Sequence, residues 1–180
     1  MFLNLQIHKY DQHIYPHIKN GIIIDTSVFK IIVDGIVCTR FSKKEYPEFT
    51  EVLSFLDYIK MNNKWSKFFI TPHILTEVCT HLRNDYSKYE NFSEIIREIM
   101  PIITEMEDKA VKKDDILNRI DLKNPVLEIG DISIFVIADD FANRGVKVAI
   151  LANDRGLNKK YEDSKDVMVL DYKSDLLNQL

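Results

Sequence analysis

Cysteine is scarce in this chain, with only Cys38 and Cys79 among 180 residues. Two cysteines so placed form neither a zinc-ligand motif nor a disulfide framework, so a reduced, cytoplasmic protein is expected. Long apolar runs are also missing: the longest, residues 132–138, is far below the roughly 18–20 residues of a membrane span. Residues 1–7 carry no basic leader before an apolar stretch, so no secretory signal is expected.

An excess of positive charge is lacking too, because the net charge is −4. A long-range basic field that attracts nucleic acid is therefore absent. Any such binding must use local basic patches, each of which is by default a solvated surface. The candidate patches are Lys43–Lys44, Lys60 with Lys64 and Lys67, Lys112–Lys113, and Lys159–Lys160. The 46% hydrophobic and 11% aromatic content indicates one packed globular domain.

Short apolar runs alternate with helical patterns along the chain. Continuous apolar runs predict buried strands, and apolar residues at three- and four-residue spacing predict helices. The strands are predicted at residues 21–25, 68–70, 146–151 and 167–170. Three helices are predicted to begin near residue 28, at Pro47 and at Pro72, the first capped by Thr26 or Ser27 and the third by Thr71. A longer helix is predicted over residues 92–111, with a kink or break at Pro101. Further helices are predicted over residues 114–120, 131–143 and 171–180.

Between these elements, residues 34–46 are predicted as a loop or hairpin and residues 123–125 as a turn. The alternation of strands and helices predicts a three-layer α/β/α fold with a central parallel sheet of four or five strands. Residues 1–20 are expected to form an N-terminal arm or an irregular segment, and residues 21–180 the folded domain. In parallel sheets of this kind, ligands bind at the carboxyl ends of the strands.

Four carboxylates lie beside the apolar runs that would bring them to that edge. They are Asp25, Glu77, Asp131 and Asp154. Carboxylates gathered in one place repel one another and need a compensating cation at neutral pH. For hard oxygen ligands that cation is usually Mg²⁺ or Mn²⁺. The pattern therefore predicts a site for a divalent cation.

Taken together, these segments resemble the PIN-domain nucleases. The resemblance consists of four blocks in the family's order, between residues 21 and 157, whereas the segments between the blocks match nothing specific. The blocks are the strand Ile22-Ile23-Ile24 followed by Asp25-Thr26-Ser27, the segment from Phe68 through Pro72 to Glu77, Gly130-Asp131 with its following apolar helix, and the strand 146–151 followed by Asn153-Asp154-Arg155.

The resemblance implies a role for each of these positions. Asp25, Glu77, Asp131 and Asp154 would be the catalytic, metal-binding carboxylates. Thr26, Ser27 and Asn153 would support the metal site or the substrate. The chain departs from the family at Ala152, where a threonine or serine is common, so the hydroxyl contact expected there is missing.

The resemblance also implies an activity: Mg²⁺- or Mn²⁺-dependent cleavage of RNA that is single-stranded or has an exposed loop. Many similar proteins are toxins paired with a small antitoxin, and many dimerise, so an antitoxin and a second copy are expected partners. Exposed aromatic side chains can stack on bases, although at helical or strand spacing they more often belong to the core. The aromatic candidates are Trp65, Phe68, Tyr86 and Tyr89.

Four other interpretations compete with the nuclease, and the sequence disfavours the last two of them. Each acidic residue alone has a structural alternative, such as a helix cap or a turn. A domain of the same fold that has lost catalysis would bind RNA or protein without cutting. A phosphatase of the haloacid dehalogenase type needs a second Asp at position 27, which is Ser27. A nucleotide-binding fold needs a glycine-rich phosphate loop after a strand, and the sequence has none.

Overall fold

The computed structural model describes residues 10–120 and 129–177, and within these ranges five parallel strands form one sheet. The strand order across the sheet is β3-β2-β1-β4-β5. The strands are β1 (Ile22–Ile24), β2 (Phe68–Ile70), β3 (Glu107–Asp108), β4 (Val148–Leu151) and β5 (Val167–Leu170). Helices flank the sheet, so the predicted three-layer α/β/α fold with a parallel sheet is confirmed.

The helices agree with most of the predicted ones. They are α1 (Tyr15–Ile18), α2 (Thr26–Ile36), α3 (Pro47–Tyr58), α4 (Pro72–Tyr86), α5 (Phe92–Glu105), α6 (Lys113–Leu117), α7 (Ile129–Asn143), α8 (Arg155–Tyr161) and α9 (Tyr172–Leu177). Two further stretches, Tyr10–Ile14 and Val37–Phe41, are π-helical, and Trp65–Lys67 forms a 3₁₀ turn. Every helix in the described ranges is too short or too polar to traverse a lipid bilayer.

The central strands are apolar because both of their faces are covered. Every residue of β1, β2 and β4 is buried. In the parallel register, Ile22 of β1 lies opposite Phe68 of β2, and Ile24 lies opposite Leu151 of β4. The carboxyl ends of these three strands therefore meet at one edge of the sheet.

The predicted loop or hairpin at residues 34–46 is wrong for its first half. Helix α2 continues to Ile36, and the π-helical stretch carries the helical winding on to Phe41. The reason is burial: Val33, Ile36 and Val37 pack into the core, and this apolar stripe outweighs the low helix propensity of Gly35. The chain then runs irregularly to Pro47, which opens α3 as predicted.

The predicted helix over residues 92–111 ends earlier than expected, at Glu105. Pro101 lies inside α5 rather than between two helices. Its missing N–H removes the hydrogen bond that would reach the carbonyl of Arg97, a residue on the exposed side of the helix. The next residues form β3, a two-residue edge strand that pairs with β2. Such a short, charged strand carries no apolar pattern, so the sequence did not reveal it. The turn predicted at residues 123–125 lies outside the described residues.

The irregular structure predicted for the N-terminal arm is wrong for residues 10–18, which are helical. Ile14 and Ile18 are buried with the core of the sheet. The ring of His17 lies 3.0 Å from the carbonyl oxygen of His13 and 3.2 Å from that of Lys165. This segment is therefore packed on the domain and tied by His17 to the residues that precede β5.

Candidate active site at the carboxyl edge of the sheet

Asp25 lies directly after the central strand β1. Its backbone N–H donates to the carbonyl oxygen of Leu151 in β4 at 3.0 Å. Its side chain caps α2 by accepting from the backbone N–H of Ser27 at 3.3 Å, and it also accepts from the Ser27 hydroxyl. The cap is thus Asp25 itself, so the prediction that Thr26 or Ser27 caps this helix is wrong. Asp25 is only 6% exposed.

Thr26 connects the segment that carries Asp25 to the helix that carries Glu77. Its hydroxyl donates to Oε2 of Glu77 at 2.6 Å. Thr26 is the first residue of α2, whereas Glu77 lies in the second turn of α4. The bond therefore holds the Glu77 carboxylate beside the residue that follows Asp25, at the edge where β1 and β2 end.

The Glu77 carboxylate also lies against the beginning of α7. A Cβ placed on Gly130 would come within 2.7 Å of Glu77 Oε1. Glycine at this position therefore gives the carboxylate the space that it occupies. Asp131 is the next residue and lies in the first turn of α7. The segment that carries Asp131 therefore adjoins Glu77.

A buried pair of hydroxyl groups fixes this approach of α7 to α4. Thr71, which caps α4 after β2, and Ser133 of α7 join their hydroxyl oxygens at 2.9 Å, and both residues are fully buried. Ser133 also donates to the carbonyl oxygen of Gly130 at 2.6 Å. Thr71 was predicted only as a helix cap, and Ser133 was not predicted to contribute. A buried hydroxyl two residues after Asp131, in an otherwise apolar helix, was the signal available.

Replacing Ser133 with Ala is expected to lower the free energy of unfolding by about 1–3 kcal/mol, because it removes two buried hydrogen bonds and leaves the Gly130 carbonyl without this donor. Chemical denaturation measures the change. Ser54→Ala is the matched control, since its hydroxyl bonds the Thr50 carbonyl on an exposed helix surface, and a change within about 0.5 kcal/mol is expected there. Equal losses of unfolding free energy in Ser133→Ala and Ser54→Ala would contradict the role of Ser133 as a buried hydrogen-bonding residue between α4 and α7.

Asp154 completes the edge on the side of β4. It caps α8, accepting the backbone N–H of Leu157 at 2.8 Å. Asp154 and its neighbour Asn153 are exposed, whereas Ala152, at the end of the strand, is fully buried. The position at which the PIN resemblance expects a hydroxyl is therefore occupied by a methyl group packed inside the fold.

The pKa of Asp25 is raised above its ordinary value of 3.8, chiefly because burial removes water from the carboxylate. The hydrogen bonds from Ser27 and Thr26 act in the opposite direction, and the negative charge of Asp154 adds to the rise. Asp25 and Asp154 are thus close enough to repel each other across the ends of β1 and β4.

A divalent cation fits the chemistry of these side chains. The donors are carboxylate oxygens, the ligands that Mg²⁺ and Mn²⁺ prefer, and the repulsion between Asp25 and Asp154 is one that a cation would relieve. As the side chains are placed, no three Asp, Glu, His or Cys groups of the described residues stand close enough together to hold one ion. Ser27 and Thr26 instead hold Asp25 and Glu77.

Three of the four aromatic candidates for base stacking belong to the core. Trp65 is 8% exposed, Phe68 is fully buried and Tyr86 is 9% exposed, so none of them offers a ring face to a ligand. Tyr89 is exposed but follows the far end of α4, away from the carboxylates. Phe135, one helical turn after Asp131, was predicted to belong to the buried side of its helix and is only half-buried.

No protein-family description, no curated protein and no solved structure matches this chain. The site is therefore described by its own geometry. That geometry is one of acidic side chains at the carboxyl edge of a parallel α/β sheet, joined through hydroxyl groups and a glycine.

Proposed function

We propose that this chain is a Mg²⁺- or Mn²⁺-dependent endoribonuclease. The observation that carries the proposal is the series of contacts along the carboxyl edge. The Asp25 N–H bonds to the Leu151 carbonyl in β4, the strand that Asp154 follows. Thr26 bonds to Glu77, and Glu77 lies against Gly130. Asp131 follows Gly130, so the four acidic segments occupy one region of the surface.

The chain's own residues have separable tasks in this proposal. Asp25, Glu77, Asp131 and Asp154 would hold the cation. Thr26 and Ser27 orient two of these carboxylates through the hydrogen bonds described above, and exposed Asn153 is available to the substrate. When bound, the cation supplies a hydroxide at neutral pH and stabilises charge on the phosphodiester oxygens.

A small antitoxin protein and a cytoplasmic location form part of the same proposal, by the PIN resemblance. The net charge of −4 is compatible with a partner that carries the basic, DNA-binding region. A gene for a small DNA-binding protein directly beside the gene for this chain would support the toxin assignment.

The activity is tested by incubating the purified chain with RNA of mixed sequence. Cleavage is expected with Mn²⁺ or Mg²⁺, loss of cleavage in EDTA, and recovery when Mn²⁺ is added in excess. Cleavage that continues unchanged in EDTA would mean that the carboxylates do not act through a metal. Absence of cleavage under every condition would leave the proposed activity without support.

A second candidate is a domain of this type that binds RNA or protein without catalysis. Ala152 favours it, because a buried methyl group stands where the PIN resemblance expects a hydroxyl. Titration with Mn²⁺ separates the two candidates. A chain that binds no Mn²⁺ at millimolar concentration and still binds RNA would be the non-catalytic module.

A further inference from the structure

Helices α7 and α8 share a surface that begins beside two of the four carboxylates. Asp131, Phe135 and Asp139 recur every four residues and so follow one side of α7. Each four-residue step advances about 6 Å along the helix. On the neighbouring helix, Asp154 caps the first turn of α8, and Lys160 lies near its end.

The Phe135 ring lies between side chains of α8. The Lys160 ammonium stands 4.0 Å from the centroid of the Phe135 ring, and the Tyr161 ring centroid lies 6.3 Å away. Phe135 is half-buried and Lys160 is exposed. One side of the Phe135 ring thus packs on the protein. The other contact of the ring is with the solvent-exposed ammonium of Lys160, and not with an apolar side chain.

Hydrogen bonds fix the side chains of Tyr161 and Asp139 beside the Phe135 ring. The Tyr161 hydroxyl donates to Oδ1 of Asp139 at 2.8 Å, and Arg119 donates to Oδ2 of the same carboxylate at 2.6 Å. Both Asp139 oxygens are therefore engaged. Lys160 takes part in no ion pair among the described residues, and its ammonium also lies 5.6 Å from the centroid of the Tyr161 ring. Lys160 is free to exchange the aromatic ring for an anionic partner.

We propose that Phe135 and Lys160 form a nucleotide-binding subsite of the carboxylate site, and this inference rests on the proposed function. The Phe135 ring would stack on the base of a single-stranded nucleic acid, and the Lys160 ammonium would contact a neighbouring phosphate. The subsite favours single strands, because the bases of a duplex are stacked on one another and offer no free face.

The magnitudes favour displacement of the ammonium by a base. An exposed cation–π contact contributes about 0.5–1 kcal/mol, whereas a base stacked on an aromatic side chain contributes about 1–3 kcal/mol. The released ammonium then gains an electrostatic contact with the phosphate. The lysine that covers the ring in the free protein thus becomes part of the binding site.

The test measures the affinity of a labelled, short single-stranded RNA by fluorescence polarisation, in EDTA and again in Ca²⁺. Phe135→Leu, which keeps an apolar side chain but loses the ring, is expected to weaken binding about 5- to 150-fold. Phe135→Trp keeps a stacking face and should retain wild-type affinity. Tyr89→Leu, at an exposed aromatic residue beyond the far end of α4, is the matched control and should change nothing.

Lys160 has a separate readout in the salt dependence of binding. Lys160→Ala is expected to reduce the slope of log affinity against log salt by about 0.7, the value for one phosphate contact on a single strand. Lys88→Ala, at an exposed lysine remote from the site, is its control. Since the Lys160 side chain is exposed, this variant carries the test even if Phe135→Leu does not fold.

The outcomes distinguish the subsite from the nuclease. If Phe135→Leu binds RNA like the wild-type chain while Asp25→Asn abolishes cleavage, the subsite is wrong and the nuclease proposal stands. If Phe135→Leu weakens binding but the wild-type chain cuts no RNA, the subsite stands and the chain is a binding module. If the wild-type chain neither binds nor cuts RNA, both proposals are wrong.

Discussion

Replacing Asp25 with Asn is expected to reduce metal-dependent RNA cleavage by more than about 100-fold and, in EDTA, to raise the melting temperature. Loss of a residue that only supports a metal ligand costs about 10- to 100-fold, so loss of a charged ligand should cost more. The rise in stability has a separate cause. Asn caps a helix about as well as Asp, but it carries no buried negative charge next to Asp154.

The sign of the stability change follows from the pKa of Asp25. Its folded-state pKa lies above the ordinary value of 3.8, so the folded chain binds this proton more tightly than the unfolded chain does. As pH rises from about 4 through the raised pKa, this carboxyl therefore lowers the free energy of unfolding. Above the raised pKa the full destabilisation is present, and Asn removes it. Each 1 kcal/mol of relief corresponds to about 2–4 °C in a chain of this size.

Thermal melts in EDTA at pH 4 and pH 7, together with the cleavage assay, measure both effects. The gain in melting temperature should be larger at pH 7 than at pH 4. Asp163→Asn, at an exposed carboxylate outside the site, is the control and should leave cleavage unchanged. If Asp25→Asn melts at a lower temperature than the wild-type chain at both pH values, Asp25 acts as a structural cap and the metal-ligand role loses its support.

Replacing Gly130 with Ala is expected to abolish most of the cleavage while the fold is retained. The new methyl group would stand 2.7 Å from Glu77 Oε1, so the carboxylate must turn away from α7. This movement breaks the hydrogen bond from Thr26 to Glu77, at a cost of about 1.5–3 kcal/mol. The higher helix propensity of Ala, about 1 kcal/mol, offsets part of that cost. We expect a loss of roughly 100-fold, since a misplacement of about 1 Å at a catalytic group has that effect.

Gly35→Ala provides the contrast. A Cβ there would lie 2.0–2.5 Å from the Phe49 side chain, so overpacking should lower the free energy of unfolding by about 1–3 kcal/mol. Its cleavage rate per folded molecule should stay near that of the wild-type chain. Mn²⁺ affinity measured by calorimetry gives an independent readout for Gly130→Ala, which should bind the ion more weakly. Unchanged ion binding and cleavage in Gly130→Ala would exclude Glu77 as a ligand in this position.

Much of the fold was predictable because its central strands are buried on both faces. Ile22–Ile24 and Val148–Leu151 are continuous apolar runs, and short runs of this kind are typical of strands buried inside a parallel sheet. Pro47 and Pro72 marked helix starts correctly, since proline suits the first helical turn. The helical winding of residues 34–41 was missed because local propensity does not tell which neighbouring element buries an apolar stripe. Strand β3 was missed because two charged residues form a strand only by pairing with β2.

The local amino-acid pattern was enough to predict acidic residues after the apolar strands and near the starts of helices, because strand ends and helix caps are local features. How these residues meet depends on the tertiary fold. The bond from Thr26 to Glu77 spans 51 positions and the pair of Thr71 with Ser133 spans 62, and such contacts depend on strand order and on the packing of helices. The exposed face of Phe135 arose in the same way, because periodicity places an aromatic residue on a helix but cannot say whether a lysine or an apolar side chain covers it.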